Sequence, residues 1–387
     1  TFGGLKLLDG SLDYVTSGLT TSTIKKAEIL AASFVGTSSI DTTVDVIASA
    51  QRGSLYLNGD HAAGADGTLL SSVTLRIRGV DGVRELSFLS ATSYSEIVSA
   101  INSNTELTGV RAELINGNPL SGIVFSSVDY GSKSFVSIER IDMPTDPTNN
   151  NFTLFKFDGN ADFPGGAPFP WGSPALVTAT RDEGRDVSAL INGVLASGDG
   201  LNVSINSPNL SLKLLLDETF ATDPTLTPKT FQITGGGALF QLGPNINALQ
   251  QTNIAVQSTA AENLGGTLIN GAIEYLSSLA SGQANELAAA KARNDFTPLE
   301  QIISKAIDEV SIIRGRLGAF ERNILETSTR SMQSAFENLT ASRSIIRDAD
   351  FAAETSELTR VQILQSAGTT VLAMANQSAQ NVLQLLG

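Results

Sequence analysis

The sequence predicts an α+β protein in which a β-rich first part is followed by long C-terminal α-helices, the first of them carrying a coiled-coil seam. Three observations predict it. Turn formers crowd the first part of the chain: of 35 glycines and 12 prolines, only Gly315, Gly318, Gly368, Gly387 and Pro298 lie at or beyond Thr297. Before that point, β-branched and apolar residues alternate with polar ones between turns, the period-two signature of half-buried strands. Beyond it, apolar residues recur at the three-and-four spacing of a helical stripe.

At 387 residues the chain is long enough for two or three domains with a sizeable core. No run approaches the roughly eighteen consecutive apolar residues of a membrane span, so no span is expected, and position 1 is Thr, so no signal peptide is read. The absence of cysteine excludes disulfides, thiolate metal ligands and cysteine nucleophiles, and it suits a protein working outside the cell. The formal charge is −14; residues 297–387 hold 10 acids and 8 bases, leaving 29 acids and 17 bases in residues 1–296. Phosphate binding needs a basic surface, so no nucleic-acid partner is expected.

In chain order, the first strong signal is Val73, Leu75 and Ile77 alternating with Thr74, Arg76 and Arg78, followed by Asp81-Gly82 and a Val83–Leu89 run with Leu86 and Phe88 on one face. This is a β-hairpin pattern. Ser93 and Glu96 have the spacing of a capping box, Ile97, Ala100 and Ile101 follow at helical intervals, and Gly109-Val110 restarts a strand. The unit 73–115 therefore reads β-β-α-β. A second β set is expected at 186–191, 201–205 and 210–216, punctuated by Asn192-Gly193 and Ser197-Gly198-Asp199-Gly200. Between the sets, 163–174 reads as an irregular loop holding the only tryptophan, Trp171.

Thr297-Pro298-Leu299-Glu300 combines an N-cap, a proline at the first helical position and a glutamate placed to close a capping box. Leu299, Ile303, Ala306, Val310, Ile313, Leu317, Phe320 and Ile324 follow at spacings of 4, 3, 4, 3, 4, 3 and 4, a coiled-coil seam. Such a seam needs a partner helix. After Ile324 the repeat shifts and becomes poorer, through Met332, Phe336 and Leu339, and Asp348-Ala349-Asp350 marks a joint. The last segment carries Leu358, Val361, Leu364, Val371, Leu372, Ala375, Val382 and Leu385 with hardly any charge beyond Arg360. An isolated helix of this kind is marginal in water, so it is expected to be poorly ordered alone and to bury these residues against other helices. The competing expectation is that the arm folds back on a helix of its own chain; residues 257–293, with Leu276, Leu279 and Leu287, are the candidate partner, interrupted by Gly265-Gly266 and Gly282.

Catalytic chemistry finds little footing. The only histidine, His61, stands between Asp60 and Asp66, but this Asp/Gly-rich stretch reads as a polar turn and lacks the alternating ligands and closing glutamate of an EF-hand loop. No G-x-S-x-G, H-E-x-x-H or phosphate-loop ending is present; Gly235-Gly236-Gly237 reads as a strand connection. Asp182-Glu183 and Asp308-Glu309 are adjacent in sequence, which points the paired carboxylates apart. No catalytic residue, metal ligand or cofactor site is expected, and the chain is not read as an enzyme. Trp171 with Phe163 and Phe169 is an aromatic candidate for carbohydrate or protein contact, weighed against a plainly packed loop.

Several runs carry a resemblance. The run LTASRSIIRDADFAAET from Leu339, QILQSAGT from Gln362, Ala375-Asn376 and NVLQLL from Asn381 closely resemble the C-terminus of flagellins. RGRLGAFER from Arg314 is similar to their long C-terminal rod helix, TFGGLKLLDG at Thr1 to the end of their N-terminal rod segment, and FQLGPN from Phe240 to their rod hairpin. Residues 73–115 resemble the flagellin hook repeat, and 186–216 a β motif shared by flagellins and filament-cap proteins.

The resemblance implies a subunit of the bacterial flagellar filament that supports swimming motility, with N- and C-terminal helices pairing in the filament and a variable middle projecting outward. It divides the chain into residues 1–19 as the end of the N-terminal rod segment, 20–230 as outer domain, 231–341 as C-terminal rod domain with a hairpin at 231–256 and a helix at 297–341, and 342–387 as inner-tube helix. About 230 residues separate the motif at Thr1 from that at Phe240, which places the inserted domain between them. The family's long N-terminal helices precede Thr1-Phe2-Gly3-Gly4, so the sequence reads as lacking that segment. Implied partners are other flagellin subunits, the flagellar export apparatus, a secretion chaperone, the filament cap and an innate immune receptor facing Arg314, Arg316, Glu321 and Arg322. The implied location is extracellular, reached through the flagellar export channel. The alternatives are a hook-filament junction protein and a surface-adhesive or glycan-binding role of the outer domain.

Overall fold

The computed structural model describes residues 8–34, 37–58, 67–142, 152–158, 168–207, 209–245, 250–269, 271–293, 295–347 and 350–386. His61 with Asp60 and Asp66, Phe163, the motif at Thr1 through Leu7, and Asp348-Ala349 lie outside the described residues. Two compact units divide the chain, Thr1–Arg316 and Leu317–Gly387.

The first unit opens with β1 (Tyr14–Ser17), β2 (Ile24–Ala32) and β3 (Ile40–Ala48), then departs into a separate lobe. That lobe holds β4 (Ser54–Leu57), β5 (Val73–Arg78), β6 (Val83–Phe88), α1 (Tyr94–Asn102), α2 (Thr105–Thr108), β7 (Val110–Leu114), β8 (Ile123–Ser127), β9 (Phe135–Arg140), β10 (Leu154–Phe157), β11 (Leu176–Thr178) and β12 (Arg181–Glu183). The expected β-β-α-β unit is present. β5 pairs antiparallel with β6, Arg76 standing opposite Glu85, and Val73, Leu75 and Ile77 are buried while Arg76 and Arg78 are exposed. At the start of α1 the Ser93 hydroxyl accepts from the Glu96 N–H at 3.2 Å and Glu96 accepts from the Ser93 N–H at 2.9 Å, a closed capping box. Two sheets, ordered β11-β10-β4-β8-β7 and β12-β9-β5-β6, share one core with α1 through Leu55, Leu75, Ile77, Ile97, Phe125 and Ile138.

The chain then returns to the first lobe as β13 (Ser188–Ile191), β14 (Val194–Leu195), β15 (Ser197–Asp199), β16 (Asn202–Asn206), β17 (Leu210–Leu216), α3 (Glu218–Thr222) and β18 (Lys229–Gly236). The sheets β1-β18-β3-β13-β14 and β15-β16-β17-β2 enclose its core. β17 shows why: Leu210, Leu212, Leu214 and Leu216 are buried, and Ser211, Lys213 and Leu215 between them are only partly so. Asn192 and Gly193 have φ of 52° and 78° and join β13 to β14 as a two-residue loop, the positive-φ pair that a tight hairpin requires.

The lobes meet at a neck where Gln51 and Arg185 exchange backbone hydrogen bonds of 2.8 and 2.9 Å. Asp186 fastens it from the side. Its carboxylate accepts from the Ser132 N–H at 3.0 Å, from the Ser132 hydroxyl and from the Gly200 N–H at 2.8 Å. Burial pushes the Asp186 carboxyl up, but these donors outweigh it and hold the group below the usual carboxylate range. Gly131 has φ +106°, and a Cβ there would stand 2.7 Å from the Gly200 Cα, so the neck closes only around glycine.

After β18 come β19 (Ala238–Gln241), β20 (Gln251–Ile254), β21 (Thr267–Ile269), β22 (Ala272–Glu274), α4 (Leu287–Arg293) and α5 (Thr297–Phe320). A π-helical turn follows at Glu321–Leu325, then α6 (Glu326–Arg347) and α7 (Phe351–Leu386). Several expectations shift. β1 pairs with β18, so Tyr14–Ser17 and Lys229–Gly236 share one sheet with β3, and the expected boundaries at 19/20 and 230/231 run through that sheet. Within the expected 231–256 hairpin segment, β19 and β20 pair with each other over 238–254. The helix expected to end at 341 runs to Arg347, and Asp350 caps the next one by accepting from the Ala352 and Ala353 N–H groups at 3.0 and 3.2 Å. α5 begins at Thr297 as expected, but its cap differs: Thr297 is the first helical residue and not the N-cap, the Asp295 carboxylate accepts the Thr297 N–H at 2.9 Å, and the Phe296 carbonyl accepts the Glu300 N–H at 3.1 Å. Residues 257–293 form a small hairpin and the seven-residue α4, so they supply no long partner helix.

Two measurements test this account. Ser93→Ala should lower the stability of the 52–184 lobe by about 1 kcal/mol in chemical denaturation. Asp186→Ala should destabilise by about 1 kcal/mol, the low end because the carboxylate is partly solvated. Because the folded pKa of Asp186 is depressed, its contribution is fully present above the unfolded value, is lost as pH falls through the folded one, and the variant should match the parent in strong acid.

Candidate functional site, an apolar helical arm

Helix α5 has two unlike faces. Ile302, Ala306 and Ile313 are buried, with Glu309 and Arg316 on the same stripe. Their bed is the loop at Leu264-Gly265. Gly265 has φ +77°, and a Cβ there would lie 2.6 Å from the Ile302 carbonyl oxygen, so glycine lets this backbone lie directly on the helix. Glu309 is bound twice, its Oε1 by Lys26 Nζ at 2.8 Å and its Oε2 by the Gly265 N–H at 2.7 Å, and Arg316 Nη2 donates to the Leu30 carbonyl at 2.8 Å. Burial depresses the Lys26 ammonium pKa, but Glu28 and Glu309 beside it outweigh burial and hold the group above the usual lysine range.

On the opposite side of α5, Ile303 is 42%, Ile307 62% and Val310 37% exposed. In the second unit the exposure is nearly total. Among described residues 326–385, only Ser328 and Thr355 are less than exposed. Phe336, Leu339, Ile345, Ile346, Phe351, Ile363, Met374 and Leu383 stand in solvent with the predicted Leu358, Val361, Leu364, Val371, Leu372, Val382 and Leu385. Solitary exposed leucines are ordinary, but a contiguous helical run of them is characteristic of an interface.

The predicted seam is thus split. Ala306 and Ile313 pack on their own chain, Ile303 and Val310 are exposed, and Leu299, Leu317, Phe320 and Ile324 are half-buried. Heptad counting missed Ile302, Glu309 and Arg316 because it selects one best stripe, whereas this helix has a second stripe offset by about one residue. The π turn at Glu321–Leu325 sits where the sequence repeat shifts; its wider turn re-phases the stripe. Of the residues expected to face a receptor, Arg314, Glu321 and Arg322 are exposed, whereas Arg316 is half-buried on Leu30 and held inside the unit.

The remaining candidates resolve into packing. Trp171 lies 4.3 Å from Phe169 between ring centroids, and Phe169 lies 5.0 Å from Tyr56, a satellite core beneath the 168–174 loop. Asp308 is exposed while Glu309 turns inward, so that acidic pair is divided as its adjacent spacing implies. Among the described residues no group of three or more His, Asp or Glu stands close enough to hold a metal ion, and no helix is long and apolar enough to cross a membrane.

Comparison with known proteins bears on both the arm and the lobe. The bacterial flagellin C-terminal helical region matches residues 301–386, and the flagellin hook IN motif matches residues 74–129, extending the expected 73–115 unit through β8. A flagellin of Bacillus subtilis is 35% identical over 212 residues, covering 54% of this chain and 67% of the relative. A flagellin of Salmonella choleraesuis is 40% identical over 141 residues, covering 34% of this chain but 28% of the longer relative. The crystal structure of a flagellar cap protein from Bdellovibrio bacteriovorus overlaps 57% of this chain and all (100%) of its own at 12% identity, with a TM-score of 0.31, an overlap that leaves the assignment to the sequence matches. With the exposed arm inside one flagellin region, the β-β-α-β unit inside another, and a curated relative matched over two thirds of its length, the chain belongs to the flagellin family, the structural subunits of the bacterial flagellar filament.

Proposed function

We propose that this chain is a filament subunit whose α6 and α7, with the open face of α5, bury their apolar side chains against helices of neighbouring flagellin subunits. The observation that carries this reading is the exposed run from Glu326 to Leu385, two helices with no core of their own. Each leucine or isoleucine moved from water into a helix interface contributes about 1.5–3 kcal/mol, so the side chains left open supply ample driving force for association. The lobes at 14–236 then form the outward-facing part of the subunit. Their role in this reading is structural, in keeping with the flagellin family.

Finer partners follow from the family and belong to the same reading. The export apparatus, secretion chaperone and filament cap would meet the apolar arm before or during assembly, delivering the subunit to an extracellular filament. An innate immune receptor would meet the exposed Arg314, Glu321 and Arg322. The hook-filament junction reading shares the helical arm, but the match over 301–386 is to flagellin.

The test uses the chain joined to a flagellin N-terminal helical arm, followed by sedimentation and negative-stain microscopy. Filaments are expected from the joined chain and should be lost on Leu364→Asp with Leu372→Asp, which places charges on the α7 stripe while leaving the lobes folded by circular dichroism. In the chain as given, α7 amides should exchange with little protection. Strong protection in a monomer would overturn the reading, because it would mean the arm is already covered.

A further inference from the structure

The bed under α5 changes character along its length. At Ile302 and Ala306 it is apolar, closed by Leu264 and Gly265. One to two turns further on, where α5 faces the outer surface of the β2–β17 pair, the contact is ionic. β17 turns its leucines into the lobe core, so its other face offers Lys213, opposite Glu28 on β2, with Lys26 nearby. α5 offers Lys305, Glu309 and Arg316 across from them. Lys26 Nζ lies 2.8 Å from Glu309 and 3.0 Å from Glu28, and all three side chains are 13–23% exposed. Beside them opens a cavity of about 420 Å³, lined by Asp9, Asp13, Ser258, Asn263 and Tyr275 as well as this cluster.

The charges at the joint are Asp9, Asp13, Glu28 and Glu309 against Lys26, Lys213, Lys305 and Arg316, four of each sign. A balanced layer in a chain of net charge −14 attracts across the joint without adding to the overall repulsion. Each link is singly held: only Glu309 joins the helix to both the strand and the Gly265 loop, and only Arg316 reaches the β2 backbone among the hydrogen bonds described. These pairs border the cavity and keep 13–23% of each side chain exposed, so they are open to partial screening that an apolar contact would not feel.

We propose that this joint is an electrostatic catch, with Glu309 at its centre, that holds the 305–316 stretch of α5 on β2 at low ionic strength and lets it go at high ionic strength while the lobe stays folded. The catch ties the stability of the helix to the ionic conditions around the subunit. It acts beside the exposed assembly face, on the opposite side of the same helix, and does not depend on what covers that face.

Hydrogen exchange on the full chain tests it, comparing 50 mM with 1 M sodium chloride, roughly a threefold change or more in screening length. Amides of 305–316 should exchange about tenfold faster at high salt, the scale of losing a charge-assisted hydrogen bond, whereas amides of 202–216 in β16 and β17 stay unchanged. Glu309→Gln should reproduce the fast exchange at low salt and remove the salt dependence. Equal protection of 305–316 at both salts in the parent chain would overturn the proposal and leave Ile302, Ala306 and Ile313 as the sole hold. Loss of protection at 202–216 together with 305–316 would also overturn it, since the lobe and helix would then be opening as one unit.

Discussion

Apolar side chains that their own chain does not cover are the constraint on which the rest of this structure depends. Between Glu326 and Leu385 the helices hold Phe336, Ile345, Ile346, Leu364, Leu372 and Leu385 in the open. Water penalises that surface in proportion to its area, whereas each lobe closes a core of its own, around Phe125 in one and Phe220 in the other. A helix stripe of this kind is suited to association because repeated side chains at three-and-four spacing can interdigitate with a similarly striped neighbour.

The β-rich lobes follow a contrary rule. Each is self-sufficient, its sheets alternating apolar-in and polar-out, and each is inserted through a pair of adjacent antiparallel segments: β1 against β18 for the whole inserted domain, Gln51 against Arg185 for the second lobe. Insertion through neighbouring strands lets a domain be carried without threading the core that carries it. The neck is tightened by short side chains and bare backbone, Asp186 bridging Ser132 and Gly200, and so is specified by close approach more than by apolar area. α5 belongs to both regimes. One of its faces is part of the first unit, resting on Gly265, Lys26 and Leu30, and the other stays with the open apolar surface.

Features held by short-range physics were legible in advance. The Ser93–Glu96 box, the β5–β6 hairpin and the Asn192-Gly193 turn each depend on residues a few positions apart and stand where periodicity and capping chemistry put them; α5 starts at the expected place but is capped by Asp295, two residues before the expected Thr297. The inclusion of Tyr14–Ser17 and Lys229–Gly236 in one sheet was not legible, because strands more than two hundred residues apart leave no local mark of their pairing. The packing of the aromatic candidate also needed the fold: Phe169 and Tyr56 come together beneath the loop that holds the half-buried Trp171 only in the tertiary structure.

By itself the sequence determined that a turn-rich β domain would be joined to long helices and that those helices would carry an apolar stripe beyond what their own polar faces offset. These properties reside in composition and in periods of two and about three and a half residues, which the backbone imposes on any chain. Only the tertiary structure decided which side of α5 is spent within the subunit. Ile302 and Ala306 face inward because Gly265 has no side chain to hold them off, and Glu309 and Arg316 are drawn in by Lys26 and Leu30, 283 and 286 positions away. A helix with apolar residues on more than one face does not specify its own orientation; the charges and bare backbone brought to it by the rest of the fold select the face that is buried.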